Sequence, residues 1–263
     1  MFKYCYGYKT IKSLWGNFVF RVMKFKEFFN LIENGVRDLF RKPFVIFPGL
    51  VFFLFLFGFS NLGGKFGYLL QTTPTNVAWI IGSVIVLLGV GGFISAGLIG
   101  LCVKIVRKEK VKDAFFSSAK KFWFRNFLVL VLFLVFFNLI NLTLFLFTKF
   151  MISVSGTFSV SASVFRILSM LITFVWIAGI IIFFTFSNFY TVGDNLGVGA
   201  GIRKSRGLVR KEYPATLSLS VILFVVVFLV GKISGVVVDL INYGVVLPLT
   251  FLIFTRFVIE FGK

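Results

Sequence analysis

Asp239 is the one carboxylate that falls inside a long uncharged run, and Asn242, three residues on, shares its helical face. An ionisable group within an apolar span is expensive and by default points to proton or cation coupling. The bland alternative is that the last helix starts later, so that Asp239 sits at the outer interface facing Lys232. Asn138, Asn141 and Thr143 interrupt a second apolar run, where Asn138 and Asn141 share a face. They line a polar path, or they hydrogen-bond between helices at about 0.6 to 2 kcal/mol per contact. The other carboxylates, Glu27, Glu33, Asp38, Glu109, Asp113, Asp194 and Glu212, lie beside basic residues outside the runs, and Glu260 lies in the C-terminal tail. With no histidine in the chain, the commonest general base and imidazole metal ligand are missing, so no catalytic residue and no metal or cofactor site is expected. Ser155-Gly156 lacks the partner that a serine nucleophile needs.

The glycine-rich stretch from Gly193 to Ser205 invites comparison with phosphate-cradling loops. It departs from both templates, because Arg203 stands where a P-loop needs glycine and Ile202 replaces the last glycine of the dinucleotide fingerprint. A backbone nest for a lipid phosphate, assisted by Arg203, Lys204 and Arg206, stays open beside a flexible surface linker. Cys5 and Cys102 are too few and too far apart for a disulfide framework or a metal site.

The elements that must carry these residues follow from composition. The chain of 263 residues is 59% hydrophobic and 14% charged, with a mean hydropathy of +1.01. That leaves too little polar surface to cover a water-facing globule. A helix crossing the hydrocarbon layer needs about 20 apolar residues. Six runs qualify: 44–64, 66–103, 126–148, 167–193, 213–231, and 235–255 with Asp239 inside it. The second holds one helix, about Val77 to Val103, after a loop around Pro74. None alternates as barrel strands do. Gly89, Gly92, Ala96 and Gly100 form a continuous small-residue groove on the second helix, which predicts close packing deep in the bundle.

Net charge of +19 raises the question of nucleic acid, and the distribution of charge answers it. With six spans, 24 of the 28 Lys and Arg residues fall on one side and four, Lys65, Lys149, Arg166 and Lys232, on the other. This positive-inside bias puts both termini in the cytoplasm of a multi-pass cell-membrane protein. The expected partners are anionic lipid headgroups, with no nucleic acid. The first apolar run follows nine basic residues and does not resemble a cleavable signal. Residues 1–25 read as a basic tail, although Met23 offers a second start.

Just before the first, third and fifth spans the chain repeats a pattern of basic, any, apolar, apolar, any, basic: Arg37 to Lys42, Lys120 to Arg125, and Arg206 to Lys211. The openings lie 83 and 86 residues apart, which predicts repeat units of about 26–109, 110–192 and 193–263 within one domain, 26–263. Each signature ends an amphipathic segment. In the first, Phe28, Phe29, Ile32, Val36, Leu39 and Phe40 share a face; in the second, Val111, Phe115, Ser118, Phe122 and Trp123; in the third, Val198, Ile202 and Val209. Such helices lie in the membrane interface. The expected fold is therefore all-α: a bundle of about six transmembrane helices in three hairpins, each preceded by a cytoplasmic-interface helix, on a pseudo-threefold axis. Arg37, Lys42, Lys120, Arg125, Arg203, Lys204, Arg206 and Lys211 are the candidate headgroup or phosphate ligands. Asn138, Asn141, Asp239 and Asn242 are the candidates for a polar path.

The stretch Gly97-Leu-Ile-Gly-Leu-Cys-Val-Lys104-Ile-Val-Arg107-Lys-Glu109-Lys-Val-Lys-Asp113-Ala114-Phe115 joins a small-residue helix end to a basic hairpin and an amphipathic helix. In this it resembles prokaryotic six-helix membrane families of unassigned function, similar to the membrane domain attached to some glycerophosphodiester phosphodiesterases. The likeness covers roughly residues 26–260. No phosphodiesterase domain accompanies it here, so it implies no catalytic residue. Scarce Gln, absent His and abundant Lys and Phe lean toward a thermophilic, archaeal source. The expected role is a non-enzymatic protein that organises membrane or binds lipid or a partner; the alternative is a small permease with a path between the repeats.

Overall fold

The computed structural model describes residues 25–70, 75–155, 167, 184, 186–232 and 235–262, and these are mainly helical with no strand among them. Helix α1 (Phe25–Arg41) is followed by a 3-10 turn (Pro43–Val45) and α2 (Ile46–Leu70). Then come α3 (Thr75–Val106), α4 (Ala114–Ser155) and a helical segment over 186–193, α5. The chain closes with α6 (Val198–Lys211), α7 (Tyr213–Lys232) and α8 (Val236–Phe261), the last carrying a π-helical turn at Asn242–Val246. Among the described residues, four stretches are long and apolar enough to cross a membrane: Pro43–Asn61, Ile81–Val106, Ala114–Phe150 and Val236–Phe261. The tail 1–24, the loop around Pro74 and most of the apolar run 167–193 lie outside the described residues.

Helix α1 forms because its apolar residues recur at helical spacing and bury one face, with Leu31, Gly35 and Leu39 inside and Glu33 and Arg37 outside. Arg37 Nη2 donates to Glu33 Oε1 at 2.6 Å across one turn of the exposed face. Phe40 remains 80% exposed at the helix end. Pro43 then ends the helix, since it has no N–H to donate and its ring crowds the preceding turn. The third copy behaves alike: α6 stops at Lys211, Glu212 breaks the helix, and Pro214 occupies the second position of α7. The second copy departs from the expected pattern of an interfacial helix followed by a separate span. Asn126 stands where the first copy has Pro43, nothing interrupts the backbone ladder, and the two elements are one helix of 42 residues.

Close packing is concentrated at one end of the bundle. In α3 the stretch from Ile94 to Val103 is almost wholly buried, whereas Ile81, Ile85 and Val86 are exposed. Glycines set the approach to α4. A Cβ on Gly92 would lie 3.1 Å from the Phe127 backbone, and one on Gly97 or Gly100 would overlap the Phe115 ring or the Ser118 side chain. Gly89, expected to extend this groove, faces open space. Gly35 of α1 packs against α8, where its Cβ would meet Ile253 Cγ1 at 2.8 Å. Gly201 of α6 packs against α5, with Thr191 Oγ1 at 2.6 Å. Small residues therefore sit at each of these three contacts between an amphipathic element and a neighbouring helix, because backbones in lipid associate through van der Waals contact rather than hydrophobic drive. Phe186, Tyr190, Leu219, Ile253 and Phe257 fill the core these contacts enclose.

Candidate anion-binding site at the basic end

Two carboxylates tie elements together at the basic end, Asp38 joining α1 to α8 and Asp194 joining the turn after α5 to the end of α3 and to α6. Asp38 of α1 accepts from Arg256 of α8 through both Nε, at 3.1 Å, and Nη2. The pair is only 14% and 16% exposed, so a charge left alone there would be poorly solvated. Arg256, counted from sequence as lying beyond the last span, is inside α8. Asp194, in the turn after α5, accepts from Arg107 Nη2 at 3.4 Å through Oδ1 and from Lys204 Nζ at 2.6 Å through Oδ2.

That turn is short because α5 runs to Gly193 and α6 begins at Val198. Asn195 takes a left-handed φ of 53°, a conformation that asparagine tolerates well. Arg125 of α4 clamps the turn from its other side. Its Nη1 lies 3.1 Å from Asn195 Oδ1 and donates more weakly to the carbonyl oxygens of Asn195, at 3.5 Å, and Leu196, at 3.4 Å. The glycine-rich stretch is thus mostly helix, with Gly199, Gly201 and Gly207 inside α6 and only Asp194 to Gly197 irregular.

Two cavities flank the Asp194 turn. One, of about 260 Å³, lies between the end of α3, the start of α4 and the end of α5, and is lined by Lys104, Arg107, Glu109, Ser117, Ser118 and Lys121. No ion pair joins Lys104 or Lys121 to a carboxylate among the described residues. The other, of about 210 Å³, lies between α5, α6 and the end of α8, lined by Tyr190, Lys204, Gly207, Lys211, Phe261 and Gly262. Asp194 binds one cation of each cavity, Arg107 of the first and Lys204 of the second. In the second, the Lys204 ammonium stands 4.8 Å over the Tyr190 ring, a cation–π contact. The Tyr190 hydroxyl is buried without a hydrogen-bond partner among the described residues.

The expected ligands divide into two groups. Arg125, Lys204 and Lys211 gather around the Asp194 turn and the second cavity. Arg37, Lys42, Lys120, Arg203 and Arg206 are exposed along the rim, on α1, the α1–α2 break, α4 and α6. Arg107, Lys104, Lys121 and Tyr190 were missed by sequence reasoning; the arginine and lysines carried a signal as part of the basic hairpin, and the tyrosine carried none.

The polar-path residues occupy two separate places. On α4, Asn138 Nδ2 donates to the Leu134 carbonyl at 2.8 Å and Asn141 Nδ2 to that of Phe137 at 2.9 Å, each within its own helix. On α8, Asp239 is exposed in the first turn and Asn242 opens the π turn. No hydrogen bond joins the two pairs among the described residues. The bundle interior holds instead a mainly apolar cavity of about 220 Å³ beside Ile99, Phe133, Thr250 and Phe254, with the unpaired Oδ1 of Asn188 on its wall. No family model, curated protein or solved structure matches the chain.

Proposed function

We propose that this is a non-enzymatic membrane protein that gathers anionic lipid headgroups at a cationic cytoplasmic face. One observation supports the reading: Asp38 and Asp194 at this end are engaged in holding helices together, while Lys42, Lys120, Arg203 and Arg206 of the rim are exposed. Each basic residue near an anionic leaflet gains about 1 kcal/mol, so a rim of this size concentrates acidic lipid around the bundle. Six spans and three repeats fit the reading. The fifth apolar run coincides with α7, and each amphipathic element packs on a long or preceding helix through a small residue: α1 on α8, the start of α4 on α3, α6 on α5. The resemblance to phosphodiesterase-associated membrane domains suits the same role, an anchor with lipid affinity.

The test replaces Arg37, Lys120 and Arg206 together by glutamine and measures acidic lipid co-purifying with the protein in mild detergent. The expected result is a severalfold loss of acidic lipid with no solute flux in vesicles containing either form. A permease remains the second reading, supported by the Asn188 cavity. Flux through reconstituted protein, abolished by Asn188→Leu, would favour it over the first.

A further inference from the structure

We infer that the cavity between the end of α3 and the start of α4 holds one singly charged phosphate group on Lys104, Ser118 and Lys121; this deepens the proposed headgroup-binding role and rests on it. Lys104 follows Gly100 by one turn of α3, and Lys121 follows Ser118 by three residues of α4, so both helix ends bring a cation to the same space. Gly100 permits the approach, since a Cβ there would overlap Oγ and Cβ of Ser118. Ser118 is 9% exposed, and a hydroxyl buried that far in a helix ordinarily donates to a carbonyl one turn back, as those of Ser117, Thr191 and Thr216 do. Ser118 makes no hydrogen bond among the described residues. Its Oγ is not one of the unpartnered polar atoms sealed from water, which are Oδ1 of Asn126, Oδ1 of Asn188 and the Tyr190 hydroxyl, so it opens on the cavity that Ser118 lines.

Charge selects the ligand. Lys104 is half-buried, and neither it nor Lys121 joins an ion pair among the described residues; Lys121 stands 5.0 Å from the Phe122 ring centroid. Arg107 lines the same space but is engaged with Asp194, and Glu109 is a carboxylate on the wall. Two free ammonium groups against one carboxylate leave a surplus of one positive charge. A phosphodiester matches this, with one negative charge and two non-bridging oxygens to accept from the ammonium groups and the Ser118 hydroxyl. At about 260 Å³ the space falls just short of the roughly 300–1,000 Å³ of organic-ligand pockets, which suits a phosphate with its ester stubs rather than a nucleotide. The shared chemistry admits two sources, the headgroup of a lipid such as phosphatidylglycerol or a soluble phosphate.

The experiment titrates the detergent-solubilised full chain with dioctanoyl phosphatidylglycerol and with inorganic phosphate, read by native mass spectrometry and calorimetry. One equivalent of phosphatidylglycerol is expected to bind above the weaker lipid held by the rim. Lys104→Met, which keeps the apolar stem, and Lys121→Gln should each weaken it about tenfold, and Ser118→Ala about threefold. Glu109→Gln should tighten it about twofold to fivefold, a gain that damage to the fold does not produce. Lys112→Gln removes an exposed cation of the same hairpin that does not line the cavity, and should leave the affinity unchanged. Displacement of the lipid by inorganic phosphate supports a soluble source, and its failure to displace supports the lipid. Absence of a one-equivalent site, binding untouched by both Lys104→Met and Lys121→Gln, or an equal loss in Lys112→Gln overturns the inference. Loss of acidic lipid from the Arg37, Lys120 and Arg206 variant, and with it the broader function, would survive that result.

Discussion

The two halves of α3 are built from the same kinds of residue and live in opposite surroundings. From Gly92 to Val103 the helix is packed into α4 and α8, and every glycine touches a neighbour; from Ile81 to Gly91 it is exposed or half-buried, and Gly82, Gly89 and Gly91 touch none. Hydrophobicity does not separate them, since lipid solvates an apolar side chain as well as another helix does. Partners do. The packed half lies where the amphipathic segments and the Asp38 and Asp194 ion pairs draw the helices together. Stability and the candidate site therefore share one end of the molecule.

Substitutions at matched positions would break or sharpen this contrast, each followed by thermal unfolding in one detergent. Gly100→Leu should have the largest effect, about 3 kcal/mol or more, because its side chain must displace Ser118 and part α3 from α4. Arg256→Ala should cost about 3 kcal/mol by stranding the partly buried Asp38 carboxylate, and Asp38→Ala combined with it should recover part of that loss. Asp194→Asn should cost only about 1 kcal/mol, since Arg107 and Lys204 are well exposed to solvent. Gly89→Leu should change stability by less than about 1 kcal/mol, and in the favourable direction, through helix propensity alone. If Gly89→Leu proved as damaging as Gly100→Leu, the contrast between the halves would be wrong.

The long helices were legible from uncharged runs, because a span needs only length and hydropathy, both local properties. The faces of α1 and α6 were legible only in part: Leu39 and Val209 are buried as expected, but Phe29 and Phe40 are exposed, and Leu31, Gly35, Gly201, Ser205 and Leu208, not counted on those faces, are buried. The continuity of α4 was missed although its cause is visible in sequence: Pro43 and Pro214 punctuate the first and third copies, and the second has Asn126. Repeat likeness outweighed the proline rule, and the proline rule is the physical one. The groove on α3 was half right, because a small-residue stripe says where helices can approach and not where they do. Asp38–Arg256 and the Tyr190 cavity had no signal at all. Their residues are far apart in the chain, and only the folded packing of α1 on α8, and of α5 between α6 and α8, brings them together.

The proposed function requires that the basic, packed end face the cytoplasm and the open end lie across the bilayer from it. Single cysteines at Lys110→Cys in the basic hairpin and Lys149→Cys near the far end of α4, in a chain with Cys5→Ser and Cys102→Ala, report this directly. With a membrane-impermeant maleimide, the cysteine at position 149 should label on intact cells and the one at 110 only after permeabilisation. Labelling of position 110 on intact cells would contradict the account, whether alone or together with 149.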